Sequence, residues 1–382
     1  MSLKIDGLPL EQLRKRKSFK WRDYGEGVLP LPVAEMDFEI AAQIREVLGE
    51  MLRTSDTGYL GSVPELKENF SKFAQARWGW NIENAELYTA ADVGVGMVEF
   101  CRTFLNPGDG IIYNTPVYHN FLNWINELKA KPIDVPMKKD GNTYSLDFDA
   151  IEIAYKNGAK AHYLCNPHNP VGTVFTKEDL IKIAELAKKY NVIVMSDEIH
   201  APLTYSESKF VPFLNSCEIA KEVGICITAA SKSWNLAGLK CAFLVVEGEK
   251  MNELAKKMPD AVHYRASLFG AIAAATAYAS VDWLDATLET LDRNRKLVKK
   301  LLDEKLPTVG YRIPNCSYLA WLDLSSLNLG DDPSVTLLER QKVAFSPGVA
   351  FGPQSSQFIR LNFGTSVEII TDAIERIEKA SK

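Results

Sequence analysis

The sequence lacks the paired cysteines of a disulfide framework. Its six cysteines are scattered between positions 101 and 316, and no two of them stand in a C-x-x-C arrangement. Several lie inside strand-like apolar segments such as "HYLC" and "CAFLVV", where cysteine acts as a small hydrophobic residue. This distribution fits a protein of a reducing compartment.

We expect neither a signal peptide nor a membrane span, and the sequence shows no internal repeat. The first residues, "MSLKIDGLPL", contain no apolar core of a signal peptide. No stretch approaches the roughly 20 apolar residues that cross a bilayer. We therefore expect a cytoplasmic protein without a membrane partner.

An excess of positive charge is absent as well. The formal net charge is -5, which argues against a nucleic-acid partner. The basic run at 14–17 is interpreted as a solvated surface stretch. A hydrophobic content of 46% and a charged content of 24% are typical of an ordinary globular protein, and 382 residues suffice for two domains or for one large domain with additions.

Residues 90–246 alternate between short apolar runs and helical segments. The apolar runs are "GIIYN", "AHYLC", "VIVMSD", "ICITAA" and "CAFLVV". The clearest helix is predicted over 177–190, where Thr176 and Asp179 have capping-box spacing. Fully apolar strands joined by helices predict an α/β fold with a mostly parallel mixed sheet flanked by helices. Such sheets bind ligands at the carboxyl ends of their strands.

The flanking segments predict a second, smaller unit. A helix is expected from about Asp37 to Arg53, and the region after 266 reads as long helices. The runs "SYLAWLDL" and "QFIRLNF" predict strands, and a final amphipathic helix follows them. We predict a large domain over 47–280 and a smaller α+β domain formed by 1–46 and 281–382.

Three polar side chains follow three of the predicted strands. Asn169 lies in "NPHNPVG" after "HYLC", Asp197 follows "VIVMS", and Lys232 follows "ICITAAS". Taken singly, each has a structural explanation, as a turn residue, a helix cap or a surface cation. Taken together at one edge of a sheet, an amide, a carboxylate and an amine predict a common cleft.

The combination "NPHNPVG…SDEIH…SKSWNLAGLK…FIRLNFG" resembles the fold-type I pyridoxal-phosphate enzymes of the class I/II aminotransferase superfamily. The details "MDF" and "DEIH" are similar to the cystathionine β-lyase-like branch, also called the MalY/PatB C–S lyases. The resemblance extends from about residue 30 to 380. It implies the PLP-dependent transferase fold, with pyridoxal 5'-phosphate (PLP) as the cofactor and an amino acid as the substrate.

The resemblance assigns roles around the cofactor ring. Lys232 matches the amine that bonds to the cofactor aldehyde and later removes the substrate's α-proton. Asp197 matches the carboxylate that holds a proton on the ring nitrogen. Asn169 matches the residue that binds the ring's 3-hydroxyl oxygen. His200 stands where many aminotransferases have a tyrosine, so its contact is left open.

Further roles concern stacking and the phosphate. Tyr118 in "NTPVYHNF" aligns with the ring-stacking aromatic and is grouped with Lys232 and Asp197 as catalytic; a core tyrosine is the alternative. The phosphate is expected at Val93 and Gly94, at a helix start. Ser231 could add a hydroxyl group and Lys240 a positive charge, although relatives often carry arginine at the latter position.

The remaining predictions concern the substrate, the second subunit and metals. Arg360 matches the arginine that binds the substrate's α-carboxylate, and the "AEMDF" loop with Asp37 is expected to line the pocket. Tyr59 resembles the tyrosine that reaches the neighbouring subunit's phosphate, which implies a homodimer with shared active sites. Tyr59 is also expected to line the substrate pocket. No metal is expected, because His162 and Cys165 have strand spacing that places them on opposite faces.

The reaction implied by the resemblance is β-elimination from cystathionine, cystine or another cysteine S-conjugate. It would give pyruvate, ammonia and a thiol. An aminotransferase that uses an amino acid and a 2-oxo acid is the alternative, because it needs the same cofactor contacts. A third possibility is a regulatory or binding protein that keeps the fold without the activity.

Overall fold

The computed structural model describes residues 3–382. Its strands, in chain order, are β1 (Leu29–Pro30), β2 (Glu86–Ala90), β3 (Gly110–Tyr113), β4 (Lys131–Asp134), β5 (Lys138–Asp140), β6 (Thr143–Ser145), β7 (Ala159–Cys165), β8 (Ile193–Asp197), β9 (Gly224–Thr228), β10 (Ala242–Val246), β11 (Gly310–Tyr311), β12 (Leu319–Asp323), β13 (Val343–Ala344), β14 (Ser346–Pro347) and β15 (Phe358–Asn362).

Helices separate most of these strands. They are α1 (Leu10–Leu13), α2 (Phe19–Arg22), α3 (Ala42–Arg53), α4 (Pro64–Trp78), α5 (Val93–Arg102), α6 (Asn120–Glu127), α7 (Phe148–Lys156), α8 (Lys177–Tyr190), α9 (Glu218–Val223), α10 (Ala230–Ser233), α11 (Glu249–Ala255), α12 (Ala261–Tyr264), α13 (Leu268–Ala279), α14 (Val281–Lys305), α15 (Pro333–Gln341) and α16 (Val367–Ala380). Within residues 3–382, none of them is both long and apolar enough to cross a membrane.

A seven-stranded sheet has the order β2-β10-β9-β8-β7-β3-β4. The strands from β9 to β4 run parallel, whereas β10 is antiparallel to both β9 and β2. The connection 229–241 stays at the carboxyl edge of β9. The chain therefore enters β10 from that edge, and β10 runs in the direction opposite to β9. The predicted mostly parallel mixed sheet is confirmed.

Strand β7 shows how this sheet is buried. Tyr163 and Cys165 belong to one hydrophobic cluster, and Leu164 belongs to another, as expected where alternate side chains point to opposite faces. His162 is buried and hydrogen-bonded through its two ring nitrogens to Tyr155 Oη and Asn114 Oδ1, both at 2.8 Å. Helices cover both faces, so the strands need no polar side.

A second sheet lies in the C-terminal third of the chain. Its antiparallel order is β11-β12-β15-β14, and α14 and α15 both pack against α16 beside it. The N-terminal segment joins this region, because β1 pairs in parallel with β13. The domain boundaries proposed from the sequence, at 46/47 and 280/281, remain a prediction.

The helix expected from Asp37 begins only at Ala42, so that prediction was wrong at its start. The Asp37 N–H group donates to the carbonyl of Gly364 at 2.7 Å, and its own carbonyl accepts the N–H group of Leu8 at 2.9 Å. Because these backbone groups are bonded to distant segments, residues 37–41 stay outside the helix. The helix predicted over 177–190 is confirmed, including its capping box.

Candidate active site

A cavity of about 600 Å³ lies at the carboxyl ends of β7, β8 and β9. Ten of the residues predicted from the sequence line it together: Val93, Gly94, Tyr118, Asn169, Asp197, His200, Ser231, Lys232, Lys240 and Arg360. The parallel strands place the amide, the carboxylate and the amine at one edge, as the strand-end argument expected.

Lys232 lies in the short helix α10, directly after β9. Its Nζ atom donates a hydrogen bond to the backbone carbonyl of Ala34 at 3.1 Å. Burial of the amine, reinforced by the positive charge of Arg360, lowers the pKa of Lys232 from 10.5 to about 8. The lowered pKa leaves more of this amine neutral at neutral pH than an ordinary lysine has, and the neutral form can act as a nucleophile and a base.

Asp197 ends the buried strand β8. Its Oδ1 atom accepts the backbone N–H group of Ile199 at 3.1 Å. Burial raises the pKa of Asp197 to about 7, although this hydrogen bond and the charge of Lys232 act in the opposite direction. A cation placed against this carboxyl group would restore its charged form.

Arg360 lies in β15 and is only 4% exposed. Its guanidinium donates to Asn169 Oδ1 at 3.0 Å, to the Pro32 carbonyl at 2.8 Å and to Ser346 Oγ at 3.2 Å. It also lies 4.9 Å from the ring centre of Phe351. Burial lowers the pKa of Arg360 to about 10, and the group stays charged at neutral pH.

No carboxylate of residues 3–382 forms an ion pair with Arg360, and its Nε atom has no hydrogen-bond partner there. A buried cation with neutral partners alone is costly, so its charge is available for an anion that enters the cavity. Carboxylates suit the planar guanidinium because both oxygens can be bound.

The other end of the cavity is formed by the start of α5. Asp92 caps this helix by accepting the N–H group of Val95 at 2.9 Å. The N–H groups of Val93 and Gly94 have no hydrogen-bond partner in the part of the chain that the structure describes. A Cβ atom at Gly94 would lie 2.5 Å from the Trp124 indole, so glycine is needed for this close approach.

Lys240 lies at the same end of the cavity and is well exposed. Its Nζ atom pairs with Asp92 Oδ2 at 3.1 Å. The predicted cation is therefore present at the cavity, with a carboxylate as its partner in this structure.

Tyr118 and His200 also line the cavity. The Tyr118 oxygen accepts Asn120 Nδ2 at 2.6 Å, and its ring meets the Trp124 ring edge-on with centres 6.1 Å apart. His200 is buried, and its Nδ1 atom is hydrogen-bonded to Ser317 Oγ at 3.1 Å. Burial, then the charges of Lys232 and Arg360, lower the pKa of His200 to about 3, so the ring is neutral. The structure shows His200 bonded to Ser317, and a contact between His200 and the cofactor stays a prediction.

Two predicted residues are not brought to the cavity. Tyr59 is 91% exposed in the chain. Asp37 is fully buried, and it accepts hydrogen bonds from Lys20 Nζ at 2.7 Å and from Trp21 Nε1 at 2.9 Å. The prediction that Asp37 lines the substrate pocket is corrected: its carboxylate is used by an internal ion pair and cannot face a ligand.

Other residues of the cavity were missed in the sequence. They include Ala34, whose carbonyl binds Lys232, and the aromatic residues Phe19, Tyr24 and Trp124. Trp124 lies on α6, which begins just after Tyr118, and its place on that helix was a signal for it. The N-terminal residues carried no such signal, because their contact with the Lys232 segment spans about half the chain.

The fold and the cavity define an α/β protein with an amine, a carboxylate and a guanidinium around one ligand site. The family model for aminotransferase class I and II matches residues 26–377. The chain belongs to this family, and the family predicted from the motifs is confirmed.

Within the family, several relatives are C–S lyases by name. The chain is 35% identical to cystathionine beta-lyase of Corynebacterium glutamicum, over 96% of this chain and 98% of that protein. It is 30% identical to cystathionine beta-lyase PatB of Bacillus subtilis, over 95% and 96%. The crystal structure of cystalysin from Treponema denticola, which contains PLP, superposes with a TM-score of 0.90 at 29% identity, covering 96% of each chain.

The residues of this chain fit such a cofactor. A phosphate has two N–H groups available at the start of α5 that bond to nothing within residues 3–382. The buried carboxyl group of Asp197 can bind a protonated pyridine nitrogen, and the amine of Lys232 can react with an aldehyde. The donors and acceptors of the cavity therefore match the three polar ends of PLP.

Proposed function

We propose that this protein is a PLP-dependent C–S β-lyase. It acts on cystathionine or a related cysteine S-conjugate and releases pyruvate, ammonia and a thiol. The observation that carries the proposal is the buried Arg360 guanidinium, which lacks a carboxylate partner among residues 3–382 and shares one cavity with Lys232 and Asp197. The lyase names of PatB and the Corynebacterium enzyme favour elimination over transamination.

When bound, PLP supplies an electron-withdrawing ring that stabilises the negative charge left at the substrate Cα. Lys232 would hold the cofactor covalently, Asp197 would keep a proton at the ring nitrogen, and Tyr118 would stack on the ring. The amide Nδ2 of Asn169 would donate to the 3-hydroxyl oxygen, since its Oδ1 atom already accepts from Arg360.

The phosphate would be held by the N–H groups of Val93 and Gly94 and by the hydroxyl of Ser231. Lys240 would balance its charge, and this requires the ammonium group to be shared between the phosphate and Asp92. Both groups are exposed enough for such a rearrangement, because surface ion pairs of this kind contribute little.

Arg360 would bind the substrate's α-carboxylate and thereby place the Cα–H bond near Lys232. The Lys232 amine, with its pKa of about 8, can accept that proton at neutral pH. His200 is neutral and bonded to Ser317, so it orients the cavity wall and adds no charge beside the amine.

Further parts of the proposal are a homodimer and a cytoplasmic location. The exposed Tyr59 would reach the phosphate of the neighbouring subunit, so that two chains build each site. All six cysteines are unpaired, which supports a reducing compartment. The two-domain division at 46/47 and 280/281 would place the substrate guanidinium on the smaller domain and the cofactor on the larger one.

A product assay tests the function. The holoenzyme is incubated with L-cystathionine and no 2-oxo acid, and pyruvate and thiol are measured. Release of both supports the lyase. No turnover until a 2-oxo acid is added would establish the aminotransferase instead. Cofactor binding without either reaction would leave a binding protein.

A further inference from the structure

Two asparagine side chains form a directed chain that ends at Tyr118. Asn123 Nδ2 donates to Asn120 Oδ1 at 2.9 Å, and Asn120 Nδ2 donates to the Tyr118 oxygen at 2.6 Å. The first bond fixes the orientation of the Asn120 amide, because its oxygen is already used as an acceptor. Its N–H group therefore faces the phenol, and the phenol's own proton is free to be donated elsewhere.

The Tyr118 phenol lies where it can meet a substrate. It lines the same cavity as Lys232 and Arg360, and it lies close enough to Arg360 for that charge to lower its pKa. Burial acts more strongly in the opposite direction and raises the pKa of Tyr118, so the phenol keeps its proton at neutral pH. A group bound by its carboxylate to Arg360 has its Cβ substituent within the same cavity.

We propose that Asn120 is a positioning residue that holds the Tyr118 phenol as the proton donor for the departing sulfur. The inference rests on the proposed C–S lyase function. As the Cβ–S bond breaks, its electron pair passes to sulfur, and the electron pair left at Cα forms the Cα–Cβ double bond. The Tyr118 proton moves to sulfur, giving a neutral thiol. The phenolate left behind accepts the N–H group of Asn120, and a solvent proton then restores the phenol.

The arrangement has a chemical consequence for the choice of leaving group. An arylthiolate with electron-withdrawing substituents departs without a proton, whereas an alkylthiolate is a poor leaving group and gains from protonation. A general acid therefore flattens the dependence of the rate on the thiol's pKa. Removing the Tyr118 phenol, or the Asn120 hydrogen bond that stabilises its phenolate, makes the rate depend more steeply on the thiol's pKa.

The experiment compares the wild-type holoenzyme with Asn120→Leu, Tyr118→Phe and Asn126→Leu. Asn126 is the matched control, since it is an exposed asparagine on the same helix without a side-chain bond to Tyr118. Pyruvate release is measured for a series of cysteine S-conjugates, from nitrophenyl to alkyl. An ultraviolet difference titration against Tyr118→Phe follows phenol ionisation, which is independent of turnover.

Asn120→Leu is expected to lose about tenfold in kcat with the alkyl conjugates, the effect of one hydrogen bond, and little with the nitrophenyl conjugate. Its Tyr118 pKa should rise above that of the wild type, and Asn126→Leu should match the wild type throughout. An equal loss for every leaving group, or no loss, would overturn the role of Asn120. If the wild type releases pyruvate from no conjugate, both the inference and the proposed function fail.

Discussion

Arg360 donates a hydrogen bond from Nη1 to Oδ1 of Asn169 over 3.0 Å, although the two residues are 191 positions apart in the chain. The bond connects the smaller sheet to the turn after β7. It also orients the Asn169 amide. Arg360, proposed to bind the substrate's carboxylate, is therefore in direct contact with Asn169, proposed to bind the cofactor. A substitution at either residue is therefore expected to affect both.

Arg360→Lys keeps the charge and removes the planar fork. We expect KM for cysteine S-conjugates to rise roughly 10- to 100-fold, since hydrogen bonds to charged groups contribute about 1.5–3 kcal/mol each. The Asn169 oxygen loses its partner in the same variant. Steady-state pyruvate release measures the effect, and Arg340→Lys, at an exposed position of α15, is the matched control. A KM equal to that of the wild type would rule out the carboxylate role.

The pKa of Lys232 predicts how cofactor attachment depends on pH. Only the neutral amine attacks an aldehyde, and the pKa of this amine is lowered by burial to about 8. The rate at which apoprotein takes up PLP should rise as pH increases through about 8 and level off above it, not near the ordinary value of 10.5. Stopped-flow absorbance measures this rate.

Lys232→Ala should bind PLP without a covalent bond, so that borohydride fixes no cofactor to the chain. The exposed Lys209→Ala variant should retain the attachment. Covalent cofactor recovered on Lys232→Ala after borohydride treatment would contradict the assignment of this lysine.

Asp197 is expected to destabilise the apoprotein. Its folded-state pKa of about 7 lies above the ordinary 3.8, so the folded state binds a proton that the unfolded state has lost. Its contribution is therefore unfavourable above pH 7 and disappears as pH falls towards 4. Apo Asp197→Asn should be more stable than apo wild type at pH 8, by a few kcal/mol at most because one pKa unit equals about 1.4 kcal/mol.

The comparison at two pH values tests this linkage. Urea unfolding of both apoproteins at pH 8 and pH 5 should show the difference shrinking at the lower pH. Comparing the two variants removes the contribution of the buried histidines, whose pKa values are lowered by burial and which act in the opposite direction. A wild type that is the more stable apoprotein at pH 8 would refute the argument.

The residues that follow the strands could be found from the sequence because strand periodicity and parallel direction place them at one edge. Lys232, Asp197 and Asn169 needed only local pattern and topology. The contact between Lys232 and Ala34 spans 198 positions and uses a backbone carbonyl, which no side-chain pattern encodes. The Asn120 amide was likewise missed, since an asparagine at a helix start is ordinary until its direction is known.

Asp37 shows the opposite error, in which a motif residue was given a ligand role that its burial excludes. Its ion pair with Lys20 is inaccessible to solvent on both sides. Asp37→Ala should lower the free energy of unfolding by about 3–5 kcal/mol, because the buried Lys20 ammonium loses its carboxylate and keeps only the Glu35 carbonyl as a partner. The folded fraction should keep nearly the KM of the wild type.

The double variant Lys20→Met with Asp37→Leu is the control for this pair. Replacing both charges with apolar side chains of similar size is expected to recover most of the lost stability. Chemical unfolding monitored by tryptophan fluorescence measures both effects. If Asp37→Ala raised KM strongly without changing stability, Asp37 would have to be a substrate-binding residue after all.

The exposed Tyr59 leads to a complementation experiment. If each active site takes Lys232 from one subunit and Tyr59 from the other, Tyr59→Ala and Lys232→Ala are both impaired as homodimers. In a mixed dimer the two defects fall on one site and leave the other intact. Equal amounts that exchange freely give half mixed dimers, each with one intact site of two, so about a quarter of the wild-type activity should appear.

The controls separate subunit sharing from other effects. A mixture of Asp197→Asn and Lys232→Ala would regain activity only if each site took these two residues from different chains. The cavity takes both from the same chain. That pair leaves each site with one defect and should stay inactive. If the Tyr59 mixture is active and the Asp197 mixture is inactive, Tyr59 is the side chain that crosses the interface. If both mixtures are inactive, Tyr59 acts in the site of its own subunit or in neither site.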